Sequence, residues 1–497
     1  PVEANAIISE PGTGKSKMAI DMFCARRMEG KIGALLIICK LTLRDNWVDQ
    51  INEHSSIPMQ VYLPSTDKKK QFKKWAEQKH EFPVVIVGTE SFSAGGMADM
   101  VREYLLTAHK PAAILDESSM ISTHSATRSQ QIVGLRDLLV YRTAMTGTPF
   151  RDSPLNMFMQ FEFLDPQIIG VGDFYAFRNR YAVMGGFMLE DKSGRKRPTQ
   201  VVGYQNLDEL AQTIGPYVFQ ITKEEAGLDL PPKRYQKRVI SMTKDQRAMY
   251  DALKKDGAWR VAGEDQMVQS VLEAELRMHQ ICGGFTTRVM EMERTVSGEK
   301  RVKKYYEPIA IMDHNKNPKI MELLDIIREF KDQQIIVWCM YRPEIDAIRK
   351  AMIEAGFQEP AMYHGGVSDA DRAQHDDAFK KGDKRVMLAN PQTGSMGLTW
   401  VSKDAVVVYY SNSNKLEDRI QSEDRAHRIG STGDSVMYID LIMEKSVDIL
   451  RKSALDTKSD LSDFVRSIIR RATITDLLDG EGIVPAEVAC SNNSIRG

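Results

Sequence analysis

Over the first third of the chain, short β-branched and apolar runs alternate with stretches of helical periodicity. That is the pattern of βαβ units building a parallel sheet. It predicts strands at Ala4–Ile8, Ala34–Cys39, Val84–Val87, Ala112–Leu115 and Thr143–Met145. From Pro154 to Ile309 the alternation stops and helical segments take over. Two polar excursions interrupt them, one rich in Gly and Lys at Gly185–Gly203 and a hairpin-like one at Thr286–Tyr306. Alternation resumes with Ile335–Cys339, Ala361–Tyr363, Val386–Leu388, Ala405–Tyr409 and Val436–Leu441. Beyond Leu450, the residues Leu461, Val465, Ile468 and Ile469 fall on one helical face, which predicts a tail packed back on a lobe. The last dozen residues or so read as frayed. The pattern is thus α/β, in four parts: a first lobe at 1–153, a helical insertion at 154–309, a second lobe at 310–450 and a short C-terminal helical tail at 451–497.

Length agrees with this division, since 497 residues correspond to roughly three units of about 150. The longest apolar runs, Ile32–Cys39 and Pro83–Val87, fall far short of the ~20 residues a membrane span needs. The five cysteines, Cys24, Cys39, Cys282, Cys339 and Cys490, show no C-x-x-C spacing. They predict neither a zinc site nor a disulfide framework, and a cytoplasmic setting. No signal peptide is visible, and a chain opening on Pro1 without Met reads as one from which something upstream was removed. The net charge of −1 is neutral on the question of nucleic acid, which needs only a local basic surface. Candidates are Lys68–Lys74, Arg195–Arg197 and Lys300–Lys304; each, taken singly, reads more readily as a solvated face or loop.

Three segments carry chemistry. Ser9-Glu10-Pro11-Gly12-Thr13-Gly14-Lys15-Ser16 lies between a predicted strand and a helix, where a phosphate loop must sit. Its glycines let backbone N–H groups close on phosphates, Lys15 would reach the β/γ oxygens, and Ser16 would ligate Mg²⁺. Ile114-Leu115-Asp116-Glu117 is an apolar strand ending in two carboxylates. Asp116 suits Mg²⁺ held through water, and Glu117 suits the base that activates an attacking water. In the second lobe, Arg425 and Arg428 are three apart and share a helical face. Two guanidiniums without adjacent acid partners suit a phosphate across a cleft. The alternative is a solvated helix in which they pair with Glu423 or Asp424.

These motifs, in this order, resemble helicase superfamily two and, within it, the Swi/Snf-type DNA-dependent ATPases. Asp424-Arg425-Ala426-His427-Arg428-Ile429-Gly430 is similar to that family's D-R-A-H-R-I-G signature, preceded by Gln421. Thr146-Gly147-Thr148-Pro149, Leu230-Pro231-Pro232-Lys233 and Tyr363-His364-Gly365-Gly366 resemble further family segments, and Gly394-Ser395-Met396-Gly397-Leu398-Thr399 resembles G-G-x-G-L-N. The stretch around Gly185-Gly186-Phe187 looks like the compact phage and prophage versions. The resemblance implies two tandem RecA-like (P-loop NTPase) lobes with ATP and Mg²⁺ between them. Gly12, Thr13, Gly14, Lys15, Ser16, Asp116 and Gly397 would hold nucleotide, with Ser16 and Asp116 on the metal. Glu117, Gln421, Arg425 and Arg428 would be catalytic. Thr89, Ser91, Thr393 and Ser395 would touch the backbone of duplex or branched DNA, without regard to sequence. A monomer and no membrane association are expected. Two departures stand out: D-E-x-H reads Asp116-Glu117-Ser118-Ser119, putting in doubt a contact to Gln421, and Thr399 replaces an Asn. A third departure is that the adenine-reading segment the resemblance implies upstream of the first strand is not among the few residues that precede Ala4. The expected activity is ATP-driven translocation on DNA, in replication, repair or recombination. The alternatives are a strand-separating helicase, an RNA helicase, or a binding module without turnover; no catalytic position is missing, which disfavours the last.

Overall fold

The strand Ala34–Cys39 is buried along its whole length, and so continuous an apolar run is satisfied only inside a sheet covered on both faces. The computed structural model describes residues 3–94, 96–190, 196–261, 264–267, 270–296, 299–394 and 398–478, and places this strand near the middle of the first sheet. Seven strands lie in the order Gln60–Tyr62, Pro83–Gly88, Ala34–Cys39, Pro111–Asp116, Tyr141–Thr146, Ala4–Ile8, Val218–Phe219. Every pairing is parallel. Alternate residues enter different cores: Leu36, Ile38, Val85 and Val87 on one face, Leu35, Ile37, Val84 and Ile86 on the other.

The second sheet has six strands, also all parallel, in the order Lys233–Ile240, Val436–Met443, Val406–Tyr409, Ile335–Trp338, Val386–Ala389, Ala361–Tyr363. Its faces are covered in the same way, Ile335 and Val337 in one core and Ile336 and Trp338 in the other. The two tandem RecA-like lobes expected from the motifs are therefore present as two separate sheets.

Described elements of the 154–309 segment divide between the cores of the two lobes. Helices Met157–Leu164 and Leu207–Ile214 pack into the first core, and Val218–Phe219 completes the first sheet. Strand Lys233–Ile240 then opens the second sheet, with helices Lys244–Asp256 and Val271–Gly283 packed near it. Periodicity identifies helices but not the sheet they cover, and this edge strand is mostly exposed and charged, so it carries no apolar run. Among the described residues three antiparallel hairpins each form their own two-stranded sheet. The longest pairs Phe285–Val296 with Glu299–Ala310, and another, Ala182–Glu190 with Lys196–Tyr204, spans the Gly- and Lys-rich excursion.

The tail forms one 32-residue helix, Val447–Leu478. It starts in the second core at Val447 and lays Leu461 and Val465 on the first, so it packs on both lobes. No helix among the described residues is long and apolar enough to cross a membrane. Cys24, Cys39, Cys282 and Cys339 are free and buried, while Cys490 lies outside the described residues.

Within the second lobe Glu344 is 1% exposed and accepts from Ser411 Oγ at 2.6 Å and Tyr341 N at 3.2 Å. Burial pushes its carboxyl up to about 7 from 4.5. A carboxyl raised on folding contributes stability below its unfolded value, and that contribution is lost as pH rises through the folded one. The wild type is therefore expected to lose stability relative to Glu344→Gln between about pH 4.5 and pH 7, by on the order of 3 kcal/mol. Urea unfolding of both proteins across that range checks this; a pH-independent difference would contradict it.

Candidate active site

Gly12 and Gly14 both take left-handed backbone at φ 84°, which an L side chain rarely adopts. The loop they shape joins strand Ala4–Ile8 to helix Lys15–Met28, so that helix's free N–H groups open on the loop. Lys15 Nζ donates to Ser9 O at 2.9 Å and Glu10 O at 3.0 Å. Among the described residues no carboxylate comes within ion-pairing distance of it, and burial holds its pKa below the ordinary value. Such a cation, set in a glycine loop and bonded only to carbonyls, fits a polyphosphate.

Asp116 ends strand Pro111–Asp116. Its Oδ1 accepts from Glu117 N at 3.0 Å and its Oδ2 from Trp47 Nε1 at 2.9 Å. Burial raises its pKa against the pull of the Trp47 hydrogen bond. Glu117 is also left-handed, φ 49° and ψ 53°, a strained conformation of the kind that collects at functional sites. Burial pushes its carboxyl up to about 7; Lys40 opposes this, and the Asp116 and Glu417 carboxylates add to it.

On the second lobe, helix Leu416–Glu423 leads into Asp424–Gly430. Arg425 Nε donates to Gln421 O at 3.0 Å, and its Nη1 donates to Leu398 O. Burial, with Arg428 alongside, lowers its pKa to about 9. Arg428 Nε pairs with Asp424 Oδ2 at 2.8 Å, and its Nη1 donates to Thr399 Oγ1 at 3.2 Å. The expectation of two guanidiniums on one helical face without acid partners is thus corrected: the helix ends at Glu423, both arginines lie in the turns that follow it, and Arg428 has Asp424 as an acid partner. Thr399, the departure from Asn, holds that same arginine.

One cavity of about 520 Å³ is lined by Gly12, Gly14, Lys15, Ser16, Asp116 and Glu117 from the first lobe. Thr399, Gln421, Arg425 and Arg428 line it from the second. Thr13 does not line it; its hydroxyl donates back to Glu10 O at 2.8 Å. Gly397 lies outside the described residues. Gly147, in the Thr146–Pro149 segment, touches the phosphate loop so closely that an added Cβ would stand 3.0 Å from Pro11 Cγ. Any shift of that segment is therefore felt by the loop.

The expected DNA contacts fare unevenly. Thr89 is fully buried and donates to Cys39 O at 2.9 Å, so its hydroxyl anchors a strand end and cannot reach a phosphate. Ser91 is half-buried in the turn Thr89–Ser93. Thr393 Oγ1 lies close to Gly365 of the Tyr363–Gly366 turn. Ser395 lies outside the described residues, as do the side chains of Arg195–Arg197 and Lys300–Lys304. In the third basic cluster, Lys69 and Lys73 both reach towards Glu103, at 3.7 and 4.0 Å.

Several residues with no motif behind them also meet here. Trp47 orients Asp116; a lone indole in the polar helix Arg44–His54 was the available signal. Lys223, between the lobes, donates through its backbone to Glu10 Oε2 at 2.7 Å, and its ammonium bonds Asp424 and the His427 carbonyl, the latter at 2.7 Å. Arg466 of the C-terminal helix donates to Gly147 O at 2.5 Å.

A phosphate loop on one parallel sheet and an arginine pair on a second, lining a shared cavity, define a two-lobed P-loop NTPase of the helicase type. The chain belongs to the SNF2-related family: an SNF2-related domain matches residues 3–284, followed by a helicase conserved C-terminal domain at 316–430. It is 23% identical over 530 residues to the Rattus norvegicus SWI/SNF-related matrix-associated actin-dependent regulator of chromatin subfamily A containing DEAD/H box 1, covering 98% of this chain and 49% of that one. To the putative ATP-dependent helicase/translocase YwqA of Bacillus subtilis (strain 168) it is 22% identical, over 92% of this chain and 46% of the relative. To the Bos taurus DNA annealing helicase and endonuclease ZRANB3 it is 24% identical, over 92% and 38%. The chain spans about half the length, or less, of these curated relatives. Among solved structures, the Sulfolobus solfataricus SWI2/SNF2 ATPase core in complex with dsDNA matches at 18% identity and a TM-score of 0.37, over 96% of this chain and 92% of that one.

The arrangement carries an expected outcome for three variants. Lys15→Ala should weaken both nucleotide binding and turnover. Glu117→Gln and Arg428→Ala should still bind ATP yet turn it over at least ~10²-fold more slowly, the range that base and charge-stabilising groups supply. Near-normal turnover by Arg428→Ala in steady-state assays with saturating DNA would contradict its placement.

Proposed function

We propose that this chain is an ATP-driven translocase on double-stranded DNA. The observation that carries the reading is the shared cavity, where Lys15, Asp116 and Glu117 of one lobe meet Arg425 and Arg428 of the other in a chain of the SNF2-related family. Lys15 and the loop N–H groups would bind the phosphates of ATP, Ser16 and Asp116 would hold Mg²⁺, and Glu117 would take the proton of the attacking water. Bound Mg²⁺ would supply neutralisation of the phosphate charge. Arg425 and Arg428 would stabilise charge on the transferring group from across the cleft. Because neither lobe alone supplies the full set, nucleotide binding favours the closed arrangement and loss of the γ-phosphate releases it. Contacts that alternate between lobes would then move the protein along a backbone. Ser91, Thr393 and Ser395 remain the proposed contacts, and a bacterial or phage-infected cytoplasm the proposed setting.

One observation favours strand separation as a second reading. Among the described residues the strands Phe285–Val296 and Glu299–Ala310 form a two-stranded sheet of their own, and an arm of that kind could part a duplex.

Duplex DNA should stimulate ATPase more than single strands of equal length, and RNA least. The protein should displace a triplex-forming third strand and separate a blunt duplex poorly. Efficient separation of the blunt duplex beside an inert triplex would favour the second reading. Affinity for DNA should also fall steeply with salt, with a log–log slope set by the phosphates neutralised. Neutralising the lysines of Lys68–Lys74 should flatten that slope if the cluster touches DNA, which binding titrations across salt concentrations measure; a salt-insensitive, sequence-specific complex would refute the electrostatic reading.

A further inference from the structure

Glu417 lies on helix Leu416–Glu423, one turn before Gln421, so the two share a face. It is 3% exposed, yet it is a carboxylate at the junction of the lobes. Its Oε1 accepts from Gln421 Nε2 at 3.2 Å and from Ser119 Oγ at 3.4 Å. The same Gln421 Nε2 lies 3.4 Å from Glu117 Oε1. Its Oε2 lies 2.7 Å from Arg151 Nε, and Lys40 Nζ is 3.9 Å from Oε1. Both cations belong to the first lobe: Lys40 follows strand Ala34–Cys39, and Arg151 follows Thr146–Pro149.

A buried carboxylate is tolerated only when paired, and the cations near Glu417 come from the opposite lobe. Its charge is therefore compensated only while the lobes are together. In the same position it ties together Ser119 beside the Asp116-Glu117 pair, the segment after Thr146–Pro149, and Gln421 at the start of the arginine segment. None of the sequence motifs includes Glu417 or Arg151.

We propose that Glu417 is a positioning residue which, paired with Arg151, fastens the second lobe to the hydrolytic end of the first and holds Gln421 against Glu117. The inference rests on the reading of this cleft as an ATP-hydrolysing site. Its role is to set geometry at closure, so loss of the pair should lower kcat and leave nucleotide affinity nearly unchanged. The two residues act as a unit, so removing the second after the first should add little.

The test compares the full chain with Glu417→Gln, Arg151→Met, the double variant and the conservative Arg151→Lys. Each is measured for steady-state ATPase with saturating duplex DNA, for the Kd of a fluorescent ATP analogue, and for inter-lobe distance by FRET without nucleotide. Each single variant should lower kcat by about tenfold or more with Kd changed by less than about twofold. The double variant should be no slower than the worse single, Arg151→Lys should recover part of the loss, and FRET should report a more open cleft. Unchanged kcat, or losses that multiply in the double variant, would overturn the proposal, as would a loss carried entirely by Kd. Wild type and Lys15→Ala run alongside: if wild type does not turn over, the ATPase reading fails, and the FRET comparison still decides the pairing, with an unchanged distance counting against it.

Discussion

A helix rich in charge is buried where the two lobes meet, and the need to pair those charges governs the rest of the site. Seven of the eight residues of Leu416–Glu423 are buried, among them Glu417, Asp418, Arg419 and Glu423. Arg419 pairs with Glu423 at 2.7 Å and Asp440 at 2.6 Å, and lies over the Tyr409 ring. Glu423 pairs with Lys233 at 2.9 Å and accepts from Tyr235 at 2.8 Å. Asp418 accepts from Ser413 at 2.6 Å. Each pairing removes a rotation or translation open to the helix. Stranding one such charge costs about 3–5 kcal/mol, whereas the intact pair contributes little net stability. The network's return is therefore orientation, and Asp424–Gly430 inherits that orientation directly.

The first lobe meets this helix with loops at the carboxyl ends of parallel strands, where open α/β sheets gather their ligands. The phosphate loop leaves Ala4–Ile8, the Asp116-Glu117 pair ends Pro111–Asp116, and Gly147 follows Tyr141–Thr146. These three strands are neighbours in the sheet, so their loops touch without long connections. The close approach of Gly147 to Pro11 and the left-handed backbone of Glu117 are the local consequences of that crowding.

Much of this was legible in the sequence, because phosphate loop, strand-end carboxylates and arginine pair are each contiguous and each has a geometry its residue types dictate. The buried strands were legible for a similar reason, since a run such as Ala34–Cys39 has no other place to go. Lys233–Ile240 was not, because an exposed edge strand keeps its charges and shows no apolar run. Gln60–Tyr62 and Val218–Phe219 are too short to show a period. The pairings of Lys223 with Asp424, 201 residues apart, and of Arg151 with Glu417 are long-range. Lys223, Arg151 and Glu417 belong to no motif and do not stand out in their own neighbourhoods, so only the folded chain reveals these pairings.

The lobes are joined on one side of this junction by the chain itself. The segment 220–232 leads from one sheet to the other, and the C-terminal helix returns. Residues of both line a second cavity of about 940 Å³, which Pro11 and Ile420 share with the first. Lys223 and Arg466 sit in that second cavity, so each chain crossing reports directly to the phosphate loop or to Gly147. Covalent crossings cannot separate, while the contacts around Glu417 can. A change of angle between the lobes must therefore be taken up mainly where the junction is held by side chains alone. Any such change would fall on the groups surrounding Glu117, so the angle between the lobes and the geometry of the Glu117 carboxylate cannot vary independently.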